Sequence, residues 1–220
     1  MKTSAAKQIG RNIAVIDYGV GNLYSVERAL KLFTGNYTVT EDPTVVASAR
    51  AIILPGVGAF GAGMEGLRRR DLVQPIKDAA RAGKPILGIC LGAQILLSEG
   101  HEFGRWEGLG IIEGRVVPFP PLATGTKIPQ IGWNTLRPKE KDGWEGTILA
   151  GLGQEIVAYF VHSFILQPQH AEDTTAVSEY GGQEFTSMIR RGKIYGCQFH
   201  PEKSGEAGLT IIRQFINLTN

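Results

Sequence analysis

Cys90 lies in the run Gly88-Ile89-Cys90-Leu91-Gly92, with a glycine two residues before and two residues after a potential nucleophile. That pattern suits a sharp strand-to-helix elbow carrying sulfur in place of the commoner hydroxyl. The chemistry needs this spacing. The turn is tight and strained, so side chains at the flanking positions would collide unless they are glycine. The elbow lifts the sulfur toward the start of the following helix, where the helix dipole and free N–H groups favour a thiolate. The backbone N–H of Leu91 is then placed to donate to an oxyanion. The competing reading is a buried structural cysteine, since free Cys is among the most buried residue types. The paired glycines and the helix start weigh against it. Cys197 lacks such glycines on both sides and reads as core.

A thiolate needs a proton acceptor, and the acceptor needs a partner to orient it. The chain has four histidines, His101, His162, His170 and His200. His200 follows an apolar strand in Gln198-Phe199-His200-Pro201-Glu202. Functional groups of a parallel sheet gather at C-terminal strand ends, and Cys90 sits at such an end too. Pro201 biases His200 toward extended geometry, which puts His200 and Glu202 on one side of the chain. Glu202 is then placed to hold the imidazole. The bland alternative is a surface His–Glu pair in a loop, which the elbow cysteine at another strand end argues against. His101 and His170 lie in polar loops and read as surface residues. His162 ends an apolar strand and either supports the fold or lines the site. No Cys/His spacing resembles a zinc site.

These groups require a scaffold of alternating strands and helices. Buried strands are expected at Ile13–Ile16, Ala51–Leu54 and Pro85–Ile89, with another at Thr38–Glu41. Helices are expected from Leu23 to Phe33, between about Ala62 and Arg81, and from Leu91 to Ser98. Asp42-Pro43 reads as an N-cap and first helical position. The alternation predicts an α/β fold with an open, mainly parallel sheet and helices on both faces. The middle of the chain differs. Strand candidates at Arg115–Val117, Ile156–Val161, Thr175–Tyr180 and Phe185–Arg190, with few helical stretches, predict antiparallel additions. A strand from Ile194 to Phe199 and a helix from Ala207 to Leu218 close the chain. Residues 1–11 read as a flexible polar leader and residues 12–220 as one domain.

With 220 residues, 43% hydrophobic and 20% charged, the chain can bury a substantial core. A formal net charge of +2 gives no whole-chain argument for nucleic acid or an anionic membrane. The run Arg68-Arg69-Arg70 reads as the solvated end of a helix. No apolar run approaches the roughly 20 residues that span a bilayer. No secretory signal is visible, and two cysteines are too few for a disulfide scaffold, so a reducing cytoplasm is the expected compartment.

The elbow with Gln94, together with His200-Pro201-Glu202, resembles the class I, or triad, glutamine amidotransferases. Further stretches narrow the resemblance: Asp17-Tyr18-Gly19-Val20-Gly21-Asn22, Pro55-Gly56-Val57-Gly58-Ala59-Phe60, Gly132-Trp133-Asn134, His162-Ser163-Phe164 and Lys203-Ser204. Together they look like the glutaminase subunits of imidazole glycerol phosphate synthases in histidine biosynthesis, over about Ile13 to Leu218.

The resemblance implies a Cys90-His200-Glu202 triad that hydrolyses L-glutamine through a thioester, with no cofactor or metal. It implies a second oxyanion donor in the Gly56-Val57-Gly58 loop, at the Val57 N–H. Gln94 would hold the glutamine, and the backbone of Ser163 and Phe164 would grip its amino-acid end. Phe164 stands where Tyr is common, and Ala93 where Met is common. The implied partner is a (β/α)8-barrel cyclase subunit that receives ammonia through an internal channel, forming a heterodimer. It would make imidazole glycerol phosphate and an aminoimidazole carboxamide ribotide. Asn22, Trp133, Tyr159 and Lys203 resemble positions facing that partner, without which the glutaminase is expected to be nearly silent. The alternatives are a paralogous glutaminase feeding another synthase, such as one for acetamidino sugars, a catalytically silent partner-binding module, and a cysteine hydrolase or peptidase on a related sheet.

Overall fold

The computed structural model describes residues 12–140 and 143–219. The expected leader, residues 1–11, lies outside the described residues. The strands are Ile13–Ile16 (β1), Tyr37–Thr40 (β2), Ala51–Leu54 (β3), Ile86–Ile89 (β4), Glu99–Gly100 (β5), Trp106–Glu107 (β6), Gly114–Pro118 (β7), Gln130–Pro138 (β8), Ile156–His162 (β9), Phe164–Pro168 (β10), Thr174–Tyr180 (β11), Gln183–Arg191 (β12) and Ile194–Cys197 (β13). The helices are Leu23–Lys31 (α1), Pro43–Ser48 (α2), Phe60–Arg69 (α3), Val73–Arg81 (α4), Leu91–Ile95 (α5) and Gly205–Asn217 (α6).

β1, β3, β4 and β13 are buried along their whole length, which is why they read as unbroken apolar runs. Their side chains alternate between two cores. Ile13, Val15, Ile53 and Ile89 pack with Val26 and Leu30 of α1 and Ile211 and Phe215 of α6. Ala14, Ile16, Ile52 and Ile86 pack on the other face with Phe60, Met64 and Leu67 of α3 and Ile76 of α4. The parallel order is β2-β1-β3-β4-β13. β12 runs antiparallel to β13 and also pairs β10 and β11, so the sheet branches there. β11 continues to β8, and β8 to β9, all antiparallel.

Several boundaries differ from the sequence expectation. The helical stretch from Ala62 to Arg81 is two helices, because Asp71 adopts φ 55° and turns the chain between them. The helix after Cys90 stops at Ile95 rather than Ser98. The carbonyls of Ile95, Leu96, Leu97 and Ser98 accept instead from amides of residues 108–112, which draws that segment across the helix end. The three arginines are not simply a solvated helix end. Arg70 pairs with Glu41 at 2.9 Å and donates to the Tyr18 carbonyl, tying α3 to the turn after β1. The final strand ends at Cys197, two residues early. Asp42 does cap α2, its side chain accepting from the Thr44 N–H.

Candidate active site

Cys90 stands between β4 and α5 with φ 52° and ψ −106°, a conformation that costs a non-glycine residue about 1–3 kcal/mol. The flanking glycines are there for close approach. A Cβ on Gly92 would lie 1.7 Å from the Leu54 carbonyl oxygen, and one on Gly88 would lie 2.6 Å from the Gly92 carbonyl oxygen. The Cys90 N–H donates to the Cys197 carbonyl at 2.7 Å, which sets the elbow against the end of β13. Register places Ile89 opposite Cys197, so Cys90 and His200 leave neighbouring parallel strands at the same end.

His200 is extended, at φ −102° and ψ 92°. Its N–H donates to the Tyr159 carbonyl at 2.9 Å, and its carbonyl accepts from Ser204 Oγ at 2.6 Å. Nδ1 meets Glu202 Oε1 at 2.8 Å, with both side chains almost completely buried. A carboxylate only accepts, so Nδ1 carries the proton and Nε2 is the nitrogen left for other chemistry. Nε2 makes no hydrogen bond within the protein and is left for Cys90, the group with which the ring interacts most strongly. Burial pulls the imidazole pKa down. Interaction with Cys90 and then with Glu202 outweighs burial and lifts it to about 9.

A polar chain runs behind the sulfur. Gln94 Nε2 donates to the Phe164 carbonyl at 3.4 Å and to Gln198 Oε1 at 3.1 Å. Gln198 Nε2 faces Cys90 Sγ at 3.8 Å, and the thiol can donate to the Val161 carbonyl at 3.6 Å. His162 sits alongside. Its Nδ1 meets the Phe164 carbonyl at 2.8 Å and its Nε2 meets Gln130 at 3.0 Å. Desolvation, with a smaller push from His200, depresses its pKa to about 4, so it is neutral. Nδ1 must donate to the carbonyl, so Nε2 is an acceptor, and the Gln130 amide, placed with Oε1 toward the ring, is assigned the turned orientation that offers its NH2 group instead. His162 is therefore a wall of the site, not a second base.

The expected oxyanion donors are arranged less directly. The Leu91 N–H is engaged by the Gly56 carbonyl at 3.3 Å, so it is not a free donor in this conformation. Val57 is exposed and Gly58 takes φ 127°. The Tyr18 hydroxyl, fully buried, donates to the Pro55 carbonyl at 2.6 Å and anchors the loop from behind. The Phe164 carbonyl is committed to Gln94 and His162, which reserves it for the framework.

Three of the expected partner-facing residues, Trp133, Tyr159 and Lys203, form a patch on β8, β9 and the Pro201–Lys203 turn, while Asn22 stands at the start of α1. Trp133 pairs with Tyr159 across β8 and β9, ring centroids 5.8 Å apart, and Lys203 Nζ lies 6.0 Å from the centre of the Tyr159 ring. Trp133 is 60% exposed, with Ile131 at 63% and Val157 at 51% on the same ribbon. Asn22 caps α1 by accepting from the Ser25 N–H. Sequence reading missed Tyr18, Val161 and Gln198 as parts of the site. Only Gln198 gave a signal: in an extended strand, the residue two before His200 points to the same side.

No group of three or more His, Cys, Asp or Glu side chains among the described residues is placed to hold a metal. No helix among them is long and apolar enough to cross a membrane.

Residues 14–218 match the family model described as glutamine amidotransferase class-I. The fold agrees with solved structures. PurLQS from Thermotoga maritima superposes with TM-score 0.70 at 22% identity, covering 94% of this chain and 98% of that one. A glutamine amidotransferase crystal structure gives 0.70 at 18% identity, with the same coverage. The chain belongs to the class-I glutamine amidotransferase family. Within it, the chain is 46% identical over 211 residues to the imidazole glycerol phosphate synthase subunit HisH 1 of Legionella pneumophila, covering 94% of this chain and 99% of the relative. The HisH subunit of Symbiobacterium thermophilum is 45% identical, with 91% of each covered.

Proposed function

We propose that this chain hydrolyses glutamine and delivers the ammonia to a cyclase subunit of imidazole glycerol phosphate synthase. One observation carries the reading: Cys90 stands in a strained elbow beside a buried His200–Glu202 pair, at the ends of adjacent parallel strands. The names of the relatives supply the partner and the pathway.

Cys90 sulfur, as thiolate, attacks the side-chain amide carbon of glutamine. The His200 imidazolium gives its proton to the amide nitrogen, and the C–N bond breaks to release ammonia. Water then attacks the thioester, giving its proton to His200, and the C–S bond breaks to release glutamate. Glu202 holds the charged ring throughout. Leu91 and Val57 are the assigned oxyanion donors, each worth about 100- to 1000-fold in rate. The bond from the Leu91 N–H to the Gly56 carbonyl must open before that donor can act, which gives near-silence without the partner a physical cause. Gln94, with Gly56, Gly58, Ser163 and Phe164, surrounds the glutamine. Asn22, Trp133, Tyr159 and Lys203 face the cyclase barrel, through which ammonia passes without meeting bulk water. Both cysteines are free, which supports a cytoplasmic setting.

The test adds the candidate cyclase and its nucleotide substrate. Cys90→Ala should lose glutamine-dependent synthesis to the detection limit while ammonia-dependent synthesis survives. A chloroketone analogue of glutamine should label Cys90, with protection by glutamine. Glutamine hydrolysis by Cys90→Ala would overturn the assignment.

A further inference from the structure

We propose that Gln198 sets the ionisation of the nucleophile and the position of Gln94, so that one buried side chain serves both the sulfur and the substrate-holding residue. This deepens the glutaminase reading and rests on it.

Gln198 is fully buried, and its side chain makes two contacts. Oε1 accepts from Gln94 Nε2 at 3.1 Å, and Nε2 points to Cys90 Sγ at 3.8 Å, a long hydrogen bond within the reach that sulfur allows. The direction of this chain is not arbitrary. An amide oxygen and nitrogen look alike, but the Phe164 carbonyl can only accept. It fixes Gln94 with its NH2 group toward Phe164, where that group also meets Gln198. Gln198 must therefore offer its oxygen to Gln94, which leaves its NH2 group for the sulfur. The polarity starts at a main-chain carbonyl and ends as an N–H donor on the nucleophile.

The sulfur needs that donor. The His200 imidazole faces the sulfur, with the buried Tyr18 hydroxyl the further titratable group nearby, and its remaining polar contact is the Val161 carbonyl at 3.6 Å, which can accept from a thiol but repels a thiolate. Gln198 favours the opposite form. Hydrogen bonds to charged groups contribute about 1.5–3 kcal/mol, enough to move thiolate formation by about 10-fold or more. The main-chain N–H of Gln198 donates to the Ser187 carbonyl at 2.9 Å, so the residue is fixed by β12 and does not swing with the Gly56–Gly58 loop.

The two contacts separate in two variants. Gln198→Met removes both. Gln198→Glu keeps an acceptor for Gln94 but places no donor on the sulfur. The full chain, alone and with its cyclase, is treated with iodoacetamide across pH, and modification of Cys90 is followed by mass spectrometry. Both variants should be alkylated about 10-fold more slowly below neutral pH, with the acid limb of kcat/KM moved to higher pH. KM for glutamine should rise several-fold in Gln198→Met and stay close to wild type in Gln198→Glu. The side-chain amide resonance of Gln198 in the wild-type chain should titrate with the same midpoint as the alkylation, a readout that needs no variant to fold. Wild-type alkylation profiles in folded variants, or an amide signal that ignores the ionisation of Cys90, would reduce Gln198 to packing. A wild-type complex that fails to hydrolyse glutamine would instead sink the reading of the whole site, and this inference with it.

Discussion

The strand tips around Cys90 and the outer face of the β8–β9 ribbon are built on opposite rules. At the tips, Cys90, Gln94, Gln198 and His200 are buried and held by one another and by main-chain groups. On the ribbon, Ile131, Trp133 and Val157 lie open to solvent on neighbouring strands. Contiguous apolar surface left in water forgoes about 25 cal/mol per Å² and marks a face that something else covers. The strand tips are held by contacts within the chain, whereas the ribbon, on the proposed reading, is left for a partner to cover.

The largest expected effect tests the first region. Gly92→Ala forces a methyl group into the Leu54 carbonyl, which neither β3 nor α5 can yield cheaply. We expect a loss on the order of 3 kcal/mol in chemical denaturation. Wild-type stability in that variant would break the view that the elbow is limited by close approach. Trp133→Ala tests the second region. Folding stability should stay within about 0.5 kcal/mol, while affinity for the cyclase, measured by calorimetry, should fall by about 2 kcal/mol or roughly 30-fold. The reverse pattern would make Trp133 part of the fold.

A smaller effect separates the two buried histidines. His162 is depressed from 6.5 to about 4, so its neutral form stabilises the fold. That contribution is complete above pH 6.5 and is lost as pH falls through about 4. His200 is raised from 6.5 to about 9, so its charged form is the one favoured by folding. That contribution is complete below pH 6.5 and is lost as pH rises through about 9. Urea midpoints of His162→Gln should flatten on the acid side relative to wild type, and those of His200→Asn on the alkaline side. Slopes of the opposite sign would overturn the roles given to these two rings.

The legible part of the molecule was the part whose side chains obey one period. β1, β3 and β4 are apolar on both faces and stood out as runs, and the elbow glycines are visible because their spacing has a steric cause. The antiparallel half was harder. β8 carries Gly132 and leaves Ile131 and Trp133 exposed, so its apolar pattern does not follow the buried face of this chain. β10 was hidden because Ser163 breaks the chain for a single residue after β9. The pairing of His200 with Glu202, and the exit of Cys90 and His200 from neighbouring strand ends, could be expected from residue types and strand ends alone. The commitment of the Leu91 N–H to Gly56 could not, since it depends on how a peptide plane is turned.

Tyr159 belongs to both regions. Its ring lies against Trp133 and beneath Lys203, while its carbonyl receives the N–H of His200 and its own N–H is held by Ser204. The bonds to His200 and Ser204 use main-chain atoms that almost any residue would supply in the same place. The side chain at this position can therefore change without touching the hydrogen bonds that hold His200, which on the proposed reading would let the outer face be refitted to a different synthase while the buried pair stays as it is.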